Sequence, residues 1–324
     1  MIYPEFIKKD QTIGICAPSA GVGKKLDSFL LSNRVLRSRG YRIKETASVR
    51  KNAERGGTAR QRGKELDELV LDRKVKAIIC AAGGDFMYEM LPYVNMEHIR
   101  DNPKWICGMS DPTNLLYTVT TNLDIATLYG FNGAGFTFDR DRSQDNFFSI
   151  LEGNLVRQNS FRKYRKMIEY INGSQSFDHP VKWISKNDTV IEGRLIGGCL
   201  DVINKLIGTR FDKTNEFIER YKDDGIVWYF DIFSMTALDL YLTLLQFRNA
   251  GWLRNCKGVL LGRIGFENTD VMTYHQALNK ALGGIPWIAE MDIGHTDPCM
   301  TMINGAMVKV ICRDGKGSVS FRLK

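Results

Sequence analysis

Two short stretches of this chain hold side chains that chemistry could use. Lys104-Trp105-Ile106-Cys107-Gly108-Met109-Ser110-Asp111-Pro112 ends an apolar run at a glycine, sets a serine at the bend and opens a helix with Asp-Pro. That pattern holds a hydroxyl at the tip of a sheet, beside backbone N–H groups that can stabilise an oxyanion. Far downstream, Gly294-His295-Thr296 follows the apolar run from Ile285 to Ile293 and places an imidazole at another strand end. A serine hydroxyl needs a base because its free pKa lies far above neutrality, and neutral imidazole is the usual one. Taken alone, Ser-Asp-Pro is also an ordinary helix start with proline near the first turn.

Elimination singles out the base. The chain has four histidines. His98 lies in a charged segment with helical character, His179 precedes Pro180 in a polar stretch, and His275 lies in the middle of an expected helix. His295 alone sits on a glycine-rich exit from a strand. A base also needs a third group that fixes its tautomer and stabilises the imidazolium. Asp231 ends the aromatic run Trp228-Tyr229-Phe230 and is the better candidate, with Asp292 competing because it closely precedes His295. Gly83-Gly84-Asp85 is a tight turn in which backbone without a Cβ can approach a ligand. The amide of Gly84 could donate one oxyanion hydrogen bond and that of Asp111 the other. Neither of the two common glycine-rich phosphate motifs occurs.

The elements that must position these residues alternate. Strands are expected at Thr12 to Ala17, Tyr41 to Glu45, Val75 to Ala81 and Trp105 to Cys107, with helices at Lys25 to Arg39, Ala59 to Leu71, Tyr88 to Val94 and Thr113 to Thr121. Strand–helix alternation implies α/β architecture: a parallel sheet covered on both faces, a three-layer domain with its site beyond the C-terminal strand ends. Gly84 and Ser110 fall at such ends. Asp139 to Ser185 is polar and poor in long apolar runs. The expected organisation is therefore an N-terminal domain over 1–150, a linker over 151–189 and a mixed α/β domain over 190–324. In the latter, strands are expected at Ile226 to Phe230, Gly258 to Leu261, Met307 to Cys312 and Val319 to Leu323, and helices at Ala237 to Ala250 and Val271 to Leu282.

Bulk properties narrow the classes. A length of 324 residues suits about two domains. No apolar stretch is long enough to span a bilayer, and the first ten residues hold no signal-peptide core, which points to a soluble cytoplasmic protein without a membrane partner. The seven cysteines show no C-x-x-C spacing; they read as reduced core residues, and no metal site is expected. The formal charge is +8. Basic residues alternate with acids and no nucleic-acid motif appears, so a nucleic-acid polymer is not the expected partner. Attraction of a small acidic substrate remains.

Ordered along the chain, these segments resemble the LD-carboxypeptidase family, which includes microcin C immunity protein-like serine peptidases. The resemblance runs almost the full length. It rests on Ala17-Pro18-Ser19, Arg55-Gly56-Gly57-Thr58-Ala59-Arg60, Gly83-Gly84, Gly108-Met109-Ser110-Asp111, Leu128-Tyr129-Gly130, Gly193-Arg194-Leu195-Ile196-Gly197-Gly198, Leu206-Ile207-Gly208-Thr209, Gly258-Val259-Leu260-Leu261-Gly262-Arg263 and Gly294-His295-Thr296. It implies Ser110 as nucleophile, His295 as general base and Asp231 as the acid, with no cofactor and a homodimeric assembly. Many members carry glutamate at the acid position; aspartate is one methylene shorter, so the strand or His295 must sit closer by about 1.5 Å. The asparagine common after the double glycine is Cys199 here.

The resemblance implies cleavage of an amide next to a free carboxylate, such as the L,D-bond of a murein peptide. The enzyme alternative is hydrolysis of a peptidyl- or aminoacyl-nucleotide conjugate, as in the immunity-like members. Arg263 is then a candidate contact for the carboxylate. Trp183, in the long connection from Arg157 to Ser185, is a candidate to stack on a base or simply to pack the connection down. An alternative of another class is a peptide-binding protein that keeps the fold without catalysis.

Overall fold

The computed structural model describes every residue except Arg140 and Asp270. The chain forms two compact units, and neither is a continuous piece of polypeptide. One comprises Met1–Asn154 with Thr301–Asn304, the other Leu155–Met300 with Gly305–Lys324.

The first unit is built on a six-stranded sheet in the order Met302–Asn304, Thr127–Tyr129, Trp105–Gly108, Val75–Cys80, Thr12–Cys16, Arg42–Glu45. Its first-listed edge strand runs antiparallel; the other neighbours are parallel. The central strands are buried almost throughout, with only Lys76 of Val75–Cys80 half-exposed. That is the signature of a sheet covered on both faces rather than one. The covering helices arise from ordinary signals. Ala59–Leu71 starts where the Thr58 hydroxyl accepts the Gln61 N–H (3.2 Å). Its buried residues Arg62, Glu65, Leu66, Leu69 and Val70 recur at helical spacing. Arg142–Leu151 is capped by the Asp141 carboxylate, which accepts the Gln144 N–H (2.8 Å). This helix lies in a stretch whose polar composition suggests irregular structure. Its apolar face is Phe147, Phe148, Ile150 and Leu151, all buried.

The second unit carries an eight-stranded mixed sheet in the order Gln158–Asn159, Lys316–Arg322, Met307–Arg313, Thr189–Cys199, Ile226–Asp231, Cys256–Gly262, Trp287–Met291, Ile184–Ser185. The four strands from Thr189–Cys199 to Trp287–Met291 are parallel, and the flanking pairs are antiparallel. The stretch expected to link the domains supplies both of the sheet's short edge strands. Ile226–Asp231 is buried at every position. Trp228 stacks on Trp252 (centroids 5.8 Å apart, 3° between planes), and Phe230 and Phe247 complete that aromatic core. Ala237–Asn249 opens with a reciprocal cap between Thr236 and Asp239. The helix expected from Val271 begins instead at Tyr274, because the Thr273 hydroxyl accepts the Gln276 N–H (3.2 Å) and stops it there; Val271 is exposed.

Candidate active site

In the first unit, the strand Trp105–Gly108 delivers its chain to a sharp turn. Gly108 is required because a Cβ there would come within 2.7 Å of the Pro112 Cβ. Ser110 follows at φ 71°, in the left-handed region. That conformation costs a residue with a Cβ about 1–3 kcal/mol and persists only where its surroundings impose it. Here they do. The Tyr129 hydroxyl accepts the Ser110 N–H (3.1 Å), and the Ser110 carbonyl accepts the Thr113 N–H (2.8 Å). Asn132 clamps Met109 by accepting its N–H (3.0 Å) and donating to its carbonyl (3.1 Å). The helix Thr113–Leu123 then leads away, buried from Thr113 to Thr121. Ser110 itself stays half-exposed at the strand tip.

The glycine pair lies beside it. A Cβ on Gly83 would stand 3.1 Å from the Ser110 Cβ and 3.2 Å from its Oγ. Gly84 has φ 139°, and a Cβ there would come 2.4 Å from the Ser19 Oγ. The two candidate oxyanion amides thus belong to Gly84, next to the glycine that touches the serine, and to Asp111, next to the serine itself.

Asp111 does more through its side chain, which is 4% exposed. Its carboxylate accepts the Ser19 hydroxyl, the Met87 N–H (2.8 Å) and the Asn114 side-chain amide (2.9 Å). One buried carboxylate therefore ties the serine turn to the loops that follow Thr12–Cys16 and Val75–Cys80. Arg62, also buried, pins the same loops by donating to the carbonyls of Pro18 (2.6 Å), Phe86 (3.0 Å) and Gly57 (3.1 Å). Sequence reasoning passes over Tyr129, Asn132 and Arg62 as braces, because their roles depend on neighbouring strands and loops rather than on local pattern.

In the second unit, Asp231 is fully buried at the end of its strand. Its Oδ2 lies 2.8 Å from the His295 Nδ1, and its Oδ1 accepts the His295 backbone N–H (3.3 Å). Both carboxylate oxygens therefore address one histidine. The imidazole is largely enclosed, at 9% exposure, with the Phe233 ring 4.7 Å from it.

Asp292 is committed elsewhere. It accepts from the Arg263 guanidinium, the Trp183 Nε1–H (2.9 Å) and the Phe161 N–H (3.2 Å). Arg263 is 2% exposed and also donates to Thr296 (2.9 Å) and to the Pro298 carbonyl (3.1 Å), with its head over the Tyr164 ring. Trp183 is 1% exposed. The structure therefore gathers Arg263, Trp183 and Asp292 into one interior cluster. It presents neither Arg263 nor Trp183 as a surface group: both are almost fully buried, and both donate to the Asp292 carboxylate. Among the described residues, no group of three or more His, Cys, Asp or Glu side chains could hold a metal ion, and no helix is long and apolar enough to cross a membrane.

Against known proteins, residues 13–130 match the LD-carboxypeptidase N-terminal domain and residues 192–310 the LD-carboxypeptidase C-terminal domain. The chain is 22% identical to a Bacillus subtilis protein named "Probable murein peptide carboxypeptidase", over 94% of this chain and 89% of that one. It is 23% identical to the microcin C7 self-immunity protein MccF of Escherichia coli, over 79% and 77%. The structure of MccF in complex with aspartyl sulfamoyl adenosine superposes with a TM-score of 0.83 at 20% identity, covering 100% of both chains.

Proposed function

Because this chain belongs to the LD-carboxypeptidase family, we propose that it is a serine-type carboxypeptidase that hydrolyses an amide next to a terminal carboxylate, with murein peptides as the substrate class. The observation that carries the reading is the fully buried Asp231 carboxylate, whose Oδ2 lies 2.8 Å from the His295 Nδ1; a proton kept on Nδ1 beside that charge leaves Nε2 as the atom for proton transfer. Ser110 supplies the nucleophile. As its Oγ attacks the scissile carbonyl, the hydroxyl proton passes to His295 Nε2. The negative charge on the carbonyl oxygen is met by the Gly84 and Asp111 amides. The tetrahedral intermediate collapses, the C–N bond breaks and the imidazolium gives its proton to the leaving amine. Water then attacks the acyl carbon and loses a proton to His295 Nε2; the C–Oγ bond breaks, the imidazolium returns its proton to the Ser110 Oγ, and the new carboxylic acid leaves. A homodimeric state rests on the family resemblance.

A second reading shares the same groups. The likeness to MccF, whose solved complexes include aspartyl sulfamoyl adenosine, supports an aminoacyl-nucleotide conjugate as substrate. The test is incubation with a murein tetrapeptide, its C-terminally amidated form and aspartyl sulfamoyl adenosine, followed by mass spectrometry, alongside labelling with a fluorophosphonate probe. Loss of the terminal residue from the free acid only is the expected result. Cleavage of the conjugate alone assigns the second reading. An unlabelled Ser110 with no cleavage makes the protein a peptide binder and rejects both.

A further inference from the structure

The Asp231 carboxylate meets the His295 imidazole at its Nδ1 edge, and the Phe233 ring lies against the same imidazole. We propose that Asp201 is a positioning residue for His295, acting through the Phe233 ring. The inference rests on His295 being the base.

The turn that carries Phe233 directly follows the acid strand and is clamped from two sides. Asp201, on the short helix Leu200–Ile203, accepts the Phe233 N–H (3.0 Å), the Ser234 N–H (3.1 Å) and the Ser234 hydroxyl (3.3 Å). From the other side, the Ile232 carbonyl accepts the Gly265 N–H (3.0 Å) and the Phe233 carbonyl accepts the Phe266 N–H (3.0 Å). Gly265 can come this close only without a side chain, since its Cβ would stand 2.8 Å from the Phe233 carbonyl oxygen.

The clamp fixes an aromatic ring that is not core filler. Phe233 is 37% exposed. One contact is edge-to-face with Phe266, centroids 5.2 Å apart at 88°; another is with the imidazole, 4.7 Å away at 45°. The ring therefore bears on the imidazole beside the Asp231 contact and helps to set the direction of Nε2. Proton transfer needs the base within hydrogen-bond reach and aligned, and a misplacement of about 1 Å costs up to about 100-fold. Two acids then steady one ring. Asp231 fixes one nitrogen, and Asp201, bound to the turn rather than to the imidazole, fixes the surface against its face. Asp201 is well suited, because a carboxylate can take two backbone amides and a hydroxyl at once, whereas an amide offers one accepting oxygen.

The experiment reads the imidazole directly, so that its outcome is separate from hydrolysis. Ring 15N spectra are recorded on the full-length protein and on Asp201→Ala, Asp201→Asn, Phe233→Leu and Phe233→Tyr, with His295→Gln used to assign the signals. Phe233→Leu and Asp201→Ala should shift the His295 signals and leave those of His98, His179 and His275 in place. Turnover should fall by about 10-fold to 100-fold with KM changed by less than about twofold, because orientation rather than binding is lost. Phe233→Tyr, which keeps the ring, should keep both, and Asp201→Asn should lie between. If Asp201→Ala does not fold, Phe233→Leu decides, since its site is partly exposed. Unmoved His295 signals in folded Phe233→Leu overturn the proposal even if the wild type hydrolyses peptides. Shifted signals in a wild-type background that hydrolyses nothing uphold the positioning role and reject the hydrolase reading.

Discussion

The backbone of Gly294 stands so close to the Asp231 carboxylate that a Cβ on Gly294 would fall 1.9 Å from its Oδ1. The residue is also at φ 96°, where side chains are disfavoured. Close approach to the carboxylate and the left-handed turn that presents His295 are met by the same absent methyl group. Gly294→Ala should therefore displace the carboxylate, costing about 1–3 kcal/mol of stability and about 100-fold in turnover. Denaturant unfolding and steady-state kinetics on the folded fraction check both. Asp231→Asn should lower turnover by about four orders of magnitude, because an amide neither fixes the tautomer nor stabilises imidazolium. Asp231→Glu should retain more activity than Asp231→Asn.

Ser110→Ala and His295→Ala should each abolish nearly all hydrolysis while leaving the protein folded. Groups that act as one unit are not additive, so the double variant should lose little beyond either single one. Turnover of Ser110→Ala at a tenth of wild type would remove the serine from the nucleophile role.

Asp111→Asn should be costly although its backbone amide is untouched. Its two carboxylate oxygens accept three donors, from Ser19, Met87 and Asn114. An amide turns at least one of these contacts into donor facing donor, which costs about 1–3 kcal/mol in a buried place. Urea unfolding should register this loss. Turnover should drop as well, because the serine turn is no longer tied to the Gly84 loop.

Lys104 gives a pH signature away from the site. Its ammonium group donates to the carbonyls of Leu69 (2.9 Å) and Asp72 (2.6 Å) at the end of the helix Ala59–Leu71. Burial pulls its pKa from the ordinary 10.5 down to about 8, with the Asp72 charge opposing. Below the folded value both states hold the proton and this group adds no slope. Between the two values the unfolded chain still holds a proton that the folded chain has released, so its contribution to stability rises with pH there. Relative to Lys104→Met, the wild type should gain about 1–3 kcal/mol between about pH 7 and about pH 10, measured by denaturant unfolding.

Hydrolysis should continue in EDTA and after treatment of the native protein with iodoacetamide. None of the seven cysteines is in a disulfide. Burial pushes the Cys16 thiol up to about 12 and those of Cys80 and Cys107 well above their usual value, which keeps them unreactive near neutrality. Activity lost to EDTA and restored by zinc would overturn the serine mechanism.

What is legible in the sequence depends on how locally each feature is encoded. The Ala59–Leu71 helix is written in its own cap and spacing, and its bounds agree with the expectation. The pairing of Asp231 with His295 is legible because each closes an apolar run at a turn. A carboxylate partner alone would not identify the base. His98 lies 2.6 Å from Asp67 and His179 2.6 Å from Glu169, but those acids are partly exposed, whereas Asp231 is fully enclosed. The helix Arg142–Leu151 escapes a reading of composition although Phe147, Ile150 and Leu151 have helical spacing, because the surrounding charge masks a short apolar face. The burial of Arg263 and Trp183 cannot be read in one dimension. It follows from Asp292, 29 residues from one and 109 from the other. Phe233 carries no signal at all, since its place beside His295 follows from how the turn after the strand is held.

The three-residue strand Met302–Asn304 makes the two units a single inheritance. It is the edge neighbour of Thr127–Tyr129 in the first unit's sheet, yet it is encoded after most of the second unit. Severing the gene after Asn154 would leave Thr127–Tyr129 with a bare strand edge, an invitation to pair with another chain. Exchange of the first unit between relatives would likewise graft a foreign sheet onto this chain's own closing strand. Tyr129, whose hydroxyl steadies Ser110, belongs to the strand that this late segment covers. Variation in Met302–Asn304 is thus constrained by the nucleophile's turn, and lineages can recombine at the junction near residue 154 only if the distant edge strand travels with it.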